Sequence, residues 1–293
     1  SRLGMPGALR QAAAFRRTTM NRTSLLLIAV LAASPAAGAQ VIQTREHGVS
    51  LVTVTEGLEH PWGLAFLPDG RMLVTERPGR MRVVGRDGRL DPLPVAGLPR
   101  VDAQGQGGLL DVALHPKHRD NGWIYWSYTQ RDAAGGNGTE VARGRLAGGP
   151  AAWQMKDVEV IFRMAPKSSA GFHFGSRLVF DRDGLLYVTL GDRGEMARAQ
   201  RPDDHAGKIL RLTDDGRPAP GNPFIGDPKA RPEIFSLGNR NVQGAALSPS
   251  TGVLWAHEHG PQGGDELNVV RAGVNYGWPV ITHGVNYVTG TRI

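Results

Sequence analysis

Residues Ala170–Asp192 read AGFHFGSRLVFDRDGLLYVTLGD. Two short apolar runs are split by Asp181-Arg182-Asp183-Gly184, where Gly184 supplies the positive φ that a tight hairpin turn needs and β-branched or aromatic residues flank it. The stretch predicts a pair of antiparallel strands, with a lone histidine, His173, just ahead of the first.

The same arrangement of strand, turn and strand recurs. Gly63–Glu76 reads GLAFLPDGRMLVTE, Leu110–Thr129 reads LDVALHPKHRDNGWIYWSYT, and Gly244–Glu258 reads GAALSPSTGVLWAHE. With Pro68, Pro116, Asp181 and Pro249 taken as equivalent points, the spacings are 48, 65 and 68 residues, the size of four-stranded propeller blades carrying loop insertions. A β-sandwich contains similar hairpins, but its repeat is strand-sized rather than blade-sized. The fold expected is therefore all-β, a β-propeller. Insertions too long for hairpin turns are expected at Gln130–Thr139 and Thr213–Arg231, and loops of this kind carry sites.

Composition agrees with that class. The 293 residues are 40% hydrophobic and include 40 glycines and 20 prolines with no collagen-like period, which points to many short strands and tight turns. Residues 1–39 read as an upstream extension followed by a signal peptide. Arg22 precedes the apolar run Leu25–Ala33, too short to span a bilayer, and Ala37-Gly38-Ala39 is a small-residue cleavage site. This predicts cleavage after Ala39, a periplasmic or secreted protein without a membrane span, and a propeller domain over 40–293.

The leader also explains most of the charge. Five of the 34 Lys and Arg residues and none of the 27 Asp and Glu residues fall in 1–39, so the formal charge of +7 drops to +2 for the remainder. No Lys/Arg run of the kind nucleic-acid binding needs is left, and none is expected as a partner. The absence of cysteine excludes disulfides and thiolate metal sites.

Several short segments carry donors and bases suited to chemistry. His173, between Gly171 and Gly175, is a candidate general base because an ordinary imidazole is largely neutral near pH 7. A hydrogen-bonded structural histidine is the plainer reading of this segment. Gly238–Gly244, GNRNVQG, packs Arg240 and three amides together, and Arg and Asn are suited to gripping a carboxylate or carbonyl. Gly105-Gln106-Gly107-Gly108 lacks the Lys-Ser/Thr of a phosphate loop, leaving a tight turn with Gln106 free to touch a ligand. In His257–Glu266, HEHGPQGGDE, the two histidines are poorly spaced for zinc. Backbone carbonyls near Gly260-Pro261, with Asp265 and Glu266 beside them, suit a hard ion such as calcium better.

Taken together, HPWGLAFLPDG, GQGGLLDVALHP, FHFGSRLVFDRDGLLYVTLGD, HAGKILRL, LGNRNVQG, EHGPQGGDELN and GVNYGWP resemble the soluble pyrroloquinoline-quinone (PQQ)-dependent aldose and glucose dehydrogenases, from about His60 to Tyr287. The resemblance implies a six-bladed propeller with the quinone over its central channel. It implies His173 as catalytic base, Gln106 as a cofactor contact, and Arg240 with Asn241 as the pair gripping the quinone. It further implies Gly260 and Pro261 as carbonyl ligands of a bridging calcium, and Glu266 and Tyr276 as ligands of a second one. The implied reaction oxidises an aldose at its anomeric carbon to a lactone, with hydride passing to the quinone and electrons then to an external acceptor.

Phe172 stands where the glucose dehydrogenases have an aspartate, which brings the chain nearer the broad-range aldose dehydrogenases. At blade spacing, residues 40–293 hold about four to five blades, so the sequence is expected to be C-terminally truncated, with the family's later Lys and Arg contacts beyond Ile293. The alternatives are a non-catalytic extracellular propeller that binds a protein or glycan and a calcium-dependent propeller lactonase. The first has no need of His173, Arg240 and Asn241 together, and the second is disfavoured because the acids cluster late in the chain.

Overall fold

Both faces of the central strands are buried, which is why their sequences read as continuous apolar runs rather than as alternating patterns. In the computed structural model, which describes residues 40–293, Leu186–Thr189 is buried at every position and Arg80–Val84 at all but the first. The expected leader at 1–39 lies outside the described residues.

These residues fall into two compact units divided after Thr53. In the first, β1 (Gln40–Gln43) and β2 (Gly48–Leu51) form an antiparallel hairpin. The second, Val54–Ile293, contains four antiparallel sheets that follow one another along the chain. β3 (Pro61–Phe66), β4 (Met72–Glu76) and β5 (Arg80–Val84) make the first sheet. β6 (Leu109–Leu114), β7 (Trp123–Arg131), β8 (Asn137–Ala147) and β9 (Gln154–Arg163) make the second. β10 (Leu178–Phe180), β11 (Leu186–Thr189), β12 (Lys208–Leu212) and β13 (Ile234–Leu237) make the third. β14 (Val242–Leu247), β15 (Leu254–Glu258) and β16 (Glu266–Val269) make the fourth.

Strand order within each sheet is strand order in sequence. The four sequence repeats are the hairpins β3–β4, β6–β7, β10–β11 and β14–β15, and the turn glycines Gly70, Gly184 and Gly252 take positive φ as their turns require.

Three apolar clusters fill the spaces between successive sheets. Leu73, Met81, Leu109 and Trp126 belong to the cluster joining the first two sheets; Tyr125, Leu186, Val188 and Leu210 to that joining the second and third; and Tyr187, Ile209, Leu254 and Ala256 to that joining the third and fourth. β7 and β11 thus feed alternate side chains into two clusters each. Sheets stacked face to face in chain order, each an up-and-down meander, are the packing of a propeller.

Among the described residues the only regular helix is one α turn at His118–Asn121 with a 3₁₀ turn at Met196–Gln200, and none is long and apolar enough to cross a membrane. One expected loop is otherwise. Gln130–Thr139 is the tip of the β7–β8 hairpin, paired to Arg131 and Asn137, because the strands run on past the core and need only Asp132–Gly136 to turn. Thr213–Arg231 is the long connection foreseen between β12 and β13.

A repeated polar contact joins sheet to sheet. Thr75 Oγ1 on β4 accepts the Gly63 amide at 2.8 Å and donates to the Leu110 carbonyl of β6. Ser127 Oγ on β7 accepts the Asp111 amide at 2.9 Å and donates to the Ser176 carbonyl at 2.7 Å. Thr189 Oγ1 on β11 accepts the Arg177 amide at 2.9 Å and donates to the Val242 carbonyl at 2.8 Å. All three hydroxyls are fully buried.

Thr189→Val keeps the shape and deletes the bridge, leaving a buried amide and a buried carbonyl each without this partner. We expect a loss of about 1–3 kcal/mol in chemical denaturation; an unchanged midpoint would show that the bridge contributes nothing.

Candidate active site

Antiparallel pairing sends the start of each sheet's first strand and the end of its second to the same edge. Gln106 precedes β6, His173 precedes β10, Arg240 and Asn241 precede β14, Asp192 follows β11, and Gly260 and Pro261 follow β15. Because β10 lies beside both β6 and β14, these segments converge.

His173 has a left-handed backbone, φ 55°, uncommon for a residue with a side chain. Three contacts hold it there. Its amide donates to Gln106 Oε1 at 2.9 Å, and its Nδ1 lies 2.7 Å from Asp192 Oδ1. The neighbouring Arg193, fully buried with its guanidinium 3.5 Å from the Phe174 ring, donates to the carbonyls of Ala170 and Phe172 and so straps the whole segment. Burial, with Arg198 nearby, pushes the Arg193 guanidinium down to about 9, which still leaves it cationic at neutral pH.

Asp192 is fully buried, and its Oδ2 accepts Trp278 Nε1 at 2.7 Å while Oδ1 also accepts the Gly194 amide at 2.7 Å. A carboxylate so placed fixes the proton on Nδ1 of a neutral imidazole. Nε2 is then the free lone pair.

Arg240 and Asn241 form the next wall. Arg240 Nη1 donates to the His259 carbonyl at 3.0 Å, its guanidinium lies 5.4 Å from the Trp278 ring, and Asn241 Oδ1 accepts the Gly175 amide at 3.1 Å. Beneath them is Glu258, 5% exposed, whose carboxylate accepts the backbone amides of Arg240 and Asn241 and the side-chain amides of Asn239 and Asn268. Burial pushes this carboxyl up to about 7 despite its donors. Gly260 and Pro261 are buried in a turn in which the Gly260 amide donates to Asp265 Oδ1 at 2.9 Å.

The absence of one side chain matters to the assembly. A Cβ on Gly191 would lie 2.0 Å from the His173 carbonyl and 3.0 Å from Asn241 Oδ1, so only glycine lets the histidine and asparagine segments close over β11.

Gln106, His173, Arg240, Asn241, Gly260 and Pro261 line a single cavity of about 570 Å³, within the usual range for small-molecule sites. Six of the eight residues singled out in the sequence are therefore brought together. Glu266 and Tyr276 are not on this cavity. Glu266 accepts Asn268 Nδ2 at 3.0 Å, and the Tyr276 hydroxyl donates to the Val269 carbonyl at 2.6 Å while accepting the Arg271 amide at 2.9 Å. The two histidines of HEHG part company: His259 lines the cavity with Nε2 3.0 Å from Gln243 Oε1, whereas His257 lies over Gly244. Among the described residues no group of three or more His, Asp or Glu is arranged to hold a metal, and the oxygens of Gly260-Pro261 are carbonyls.

Sequence reasoning passed over Asp192, Trp278 and Glu258. Asp192 had a signal: the β10–β11 register pairs Leu178 with Val188, and carried back along the hairpin it brings His173 opposite Asp192-Arg193. Trp278 had none, since it acts across 86 residues of chain; Glu258 lies opposite Val242 in the β14–β15 hairpin, but nothing in its neighbours shows that its partners are amides.

Comparison with known proteins gives a consistent picture. A family model described as Glucose / Sorbosone dehydrogenase matches residues 58–293. Aldose sugar dehydrogenase YliI of Escherichia coli is 43% identical over 269 residues, covering 92% of this chain and 70% of that protein. Quinoprotein glucose dehydrogenase B of Acinetobacter calcoaceticus is 30% identical over 288 residues, covering 89% and 58%. The PQQ-bound aldose sugar dehydrogenase of Streptomyces coelicolor superposes with a TM-score of 0.69 at 34% identity, covering 87% of this chain and 70% of that one. The chain spans about two thirds of the length of the curated relatives it matches.

Gly191→Ala should cost about 1–3 kcal/mol by overpacking, measured by denaturation. Gly149→Ala, where an added Cβ meets nothing within 4 Å, should be neutral; equal effects would show that the closure over Gly191 is not tight.

Proposed function

This chain belongs to the glucose/sorbosone dehydrogenase family, and on that premise we propose that it oxidises aldoses at the anomeric carbon to lactones with PQQ and calcium. The observation that carries the reading is a histidine whose Nδ1 is tied to a buried carboxylate and whose other nitrogen is left free, in a cavity shared with Arg240, Asn241 and Gln106.

The residues fit the group. A planar, polycarboxylate quinone asks for a cation, amide donors and a roomy polar cavity, and Arg240, Asn241 and Gln106 on about 570 Å³ supply these. The carbonyls of Gly260 and Pro261, near Asp265, are ligands of the kind calcium takes. When bound, PQQ supplies a two-electron acceptor for the hydride leaving the sugar's anomeric carbon.

His173 removes the proton from the anomeric hydroxyl at Nε2. Asp192, accepting from Nδ1, keeps that nitrogen the proton acceptor and stabilises the imidazolium that results. Arg240 presents fixed positive charge to the cavity, and such preorganised charge is worth about 3 kcal/mol per donor where negative charge develops. Phe172, edge-on to His173 with ring centroids 4.9 Å apart, offers the sugar an apolar edge rather than a hydrogen bond, in keeping with a broad aldose range.

We further propose export, from the leader-like 1–39, and reoxidation by an external electron acceptor. A non-catalytic binding propeller would leave the His173–Asp192 pair without purpose.

Protein expressed to the gene's own stop codon and supplied with PQQ and calcium should reduce an artificial dye when given aldoses; no quinone-dependent activity over a broad sugar panel would refute the assignment. His173→Gln should lower turnover by roughly 10²–10⁴-fold with PQQ affinity nearly unchanged, and a parallel loss of affinity would make the histidine structural. Calcium chelation should weaken PQQ binding and calcium should restore it; binding indifferent to the ion would remove calcium from the site.

A further inference from the structure

Glu258 is a buried carboxylate without a cation. Among the described ion pairs it has no Lys, Arg or His partner, and the Arg240 guanidinium turns away from it toward the His259 carbonyl. Four N–H donors serve it instead. Oε2 accepts the backbone amides of Arg240 and, at 3.3 Å, Asn241; Oε1 accepts Asn239 Nδ2 at 2.8 Å and Asn268 Nδ2 at 3.2 Å. Burying an unpaired carboxylate is costly, and a position whose only need was core stability would be filled as well by an apolar residue.

Its donors show where that cost is applied. Oε2 holds the two successive amides of the turn that aims Arg240 and Asn241 at the cavity. The same turn is tied from above, because the Arg240 carbonyl accepts the Asp192 amide at 2.8 Å and the Asn241 carbonyl accepts the His259 amide at 3.1 Å. Glu258 is thus the only side chain among these contacts that grips the turn from below, one residue before His259 and two before Gly260.

We infer that Glu258 is a positioning residue, setting Arg240 and Asn241 for the cofactor without touching it. The inference rests on the PQQ reading for what those two residues grip. Glu258→Gln is the sharpest test, because both carboxylate oxygens accept from N–H groups. Whichever way the amide is turned, its NH₂ faces two donors.

The measurements are PQQ titration of the full chain, amide exchange of the 238–241 segment in protein without cofactor, and a double-mutant cycle with Arg240→Ala. We expect the PQQ dissociation constant of Glu258→Gln to rise roughly ten- to a hundredfold and exchange at 238–241 to quicken. In the Arg240→Ala background the same change should add clearly less than it does alone, the remainder acting through Asn241, since residues acting as one unit are not additive. Unchanged affinity, or losses that multiply fully in the double variant, would overturn the inference and leave Glu258 an ordinary core residue. Asn239→Ala, which removes one donor from the same carboxylate, should shift both readouts the same way by less, and it carries the test if the glutamine variant does not fold. Failure of the unmodified chain to bind PQQ would overturn the cofactor reading instead, with exchange at 238–241 still deciding for or against Glu258.

Discussion

The buried hydroxyl that bridges each sheet to the next is the contact on which the arrangement depends. Apolar packing between sheets is strong but undirected, so by itself it would let one sheet slide over its neighbour. A Ser or Thr hydroxyl has one donor and spare acceptor capacity, and Thr75, Ser127 and Thr189 use both at once, accepting an amide of their own sheet and donating to a carbonyl of the next. Sliding would strand both groups where no water reaches. Arg177 draws the same level tighter. It donates to Asp111 Oδ1 at 2.7 Å and the Gln243 carbonyl at 3.1 Å and lies 4.6 Å from the Trp62 ring, touching the first strands of the other three sheets.

His173 is four residues upstream of that junction. The position of the base is therefore inherited from the inter-sheet register and not from its own loop. The backbone is strained besides, with His173 and Ser176 in this loop and Arg193 in the one after β11 all at positive φ. Such residues persist where surroundings over-determine them. Here Gln106 takes an amide from one stretch of chain, while from another Asp192 takes the ring and its neighbour Arg193 clamps two carbonyls.

Much of this was legible in the sequence because it is local. Hairpins are written in adjacent residues, so Asp183-Gly184 and its counterparts were sufficient to find four sheets, and the glycine-flanked His173 stood out within its own repeat. Gln130–Thr139 misled because polar, glycine-rich residues serve equally as a loop or as the outer tip of a long hairpin; the difference lies in β7 and β8 extending beyond the core. Glu258 was invisible for another reason. In HEHG it reads as one more acid beside a possible metal site, and only the arrival of Asn239, Arg240 and Asn241 from the turn before β14 and of Asn268 from β16 shows that its partners are amides.

Trp278 links what remains. Its indole Nε1 donates to Asp192, the carboxylate behind the base, while its ring lies under the Arg240 guanidinium. The Asp192 amide in turn donates to the Arg240 carbonyl, so base and cation share both a side-chain floor and a backbone bond. Neither can shift without moving the other. Catalysis that removes a proton at one atom while charge develops at another depends on that separation being set before the substrate arrives. A shared anchor fixes it more firmly than two independently well-ordered residues would, because displacements of a common floor carry both groups together and leave their spacing intact.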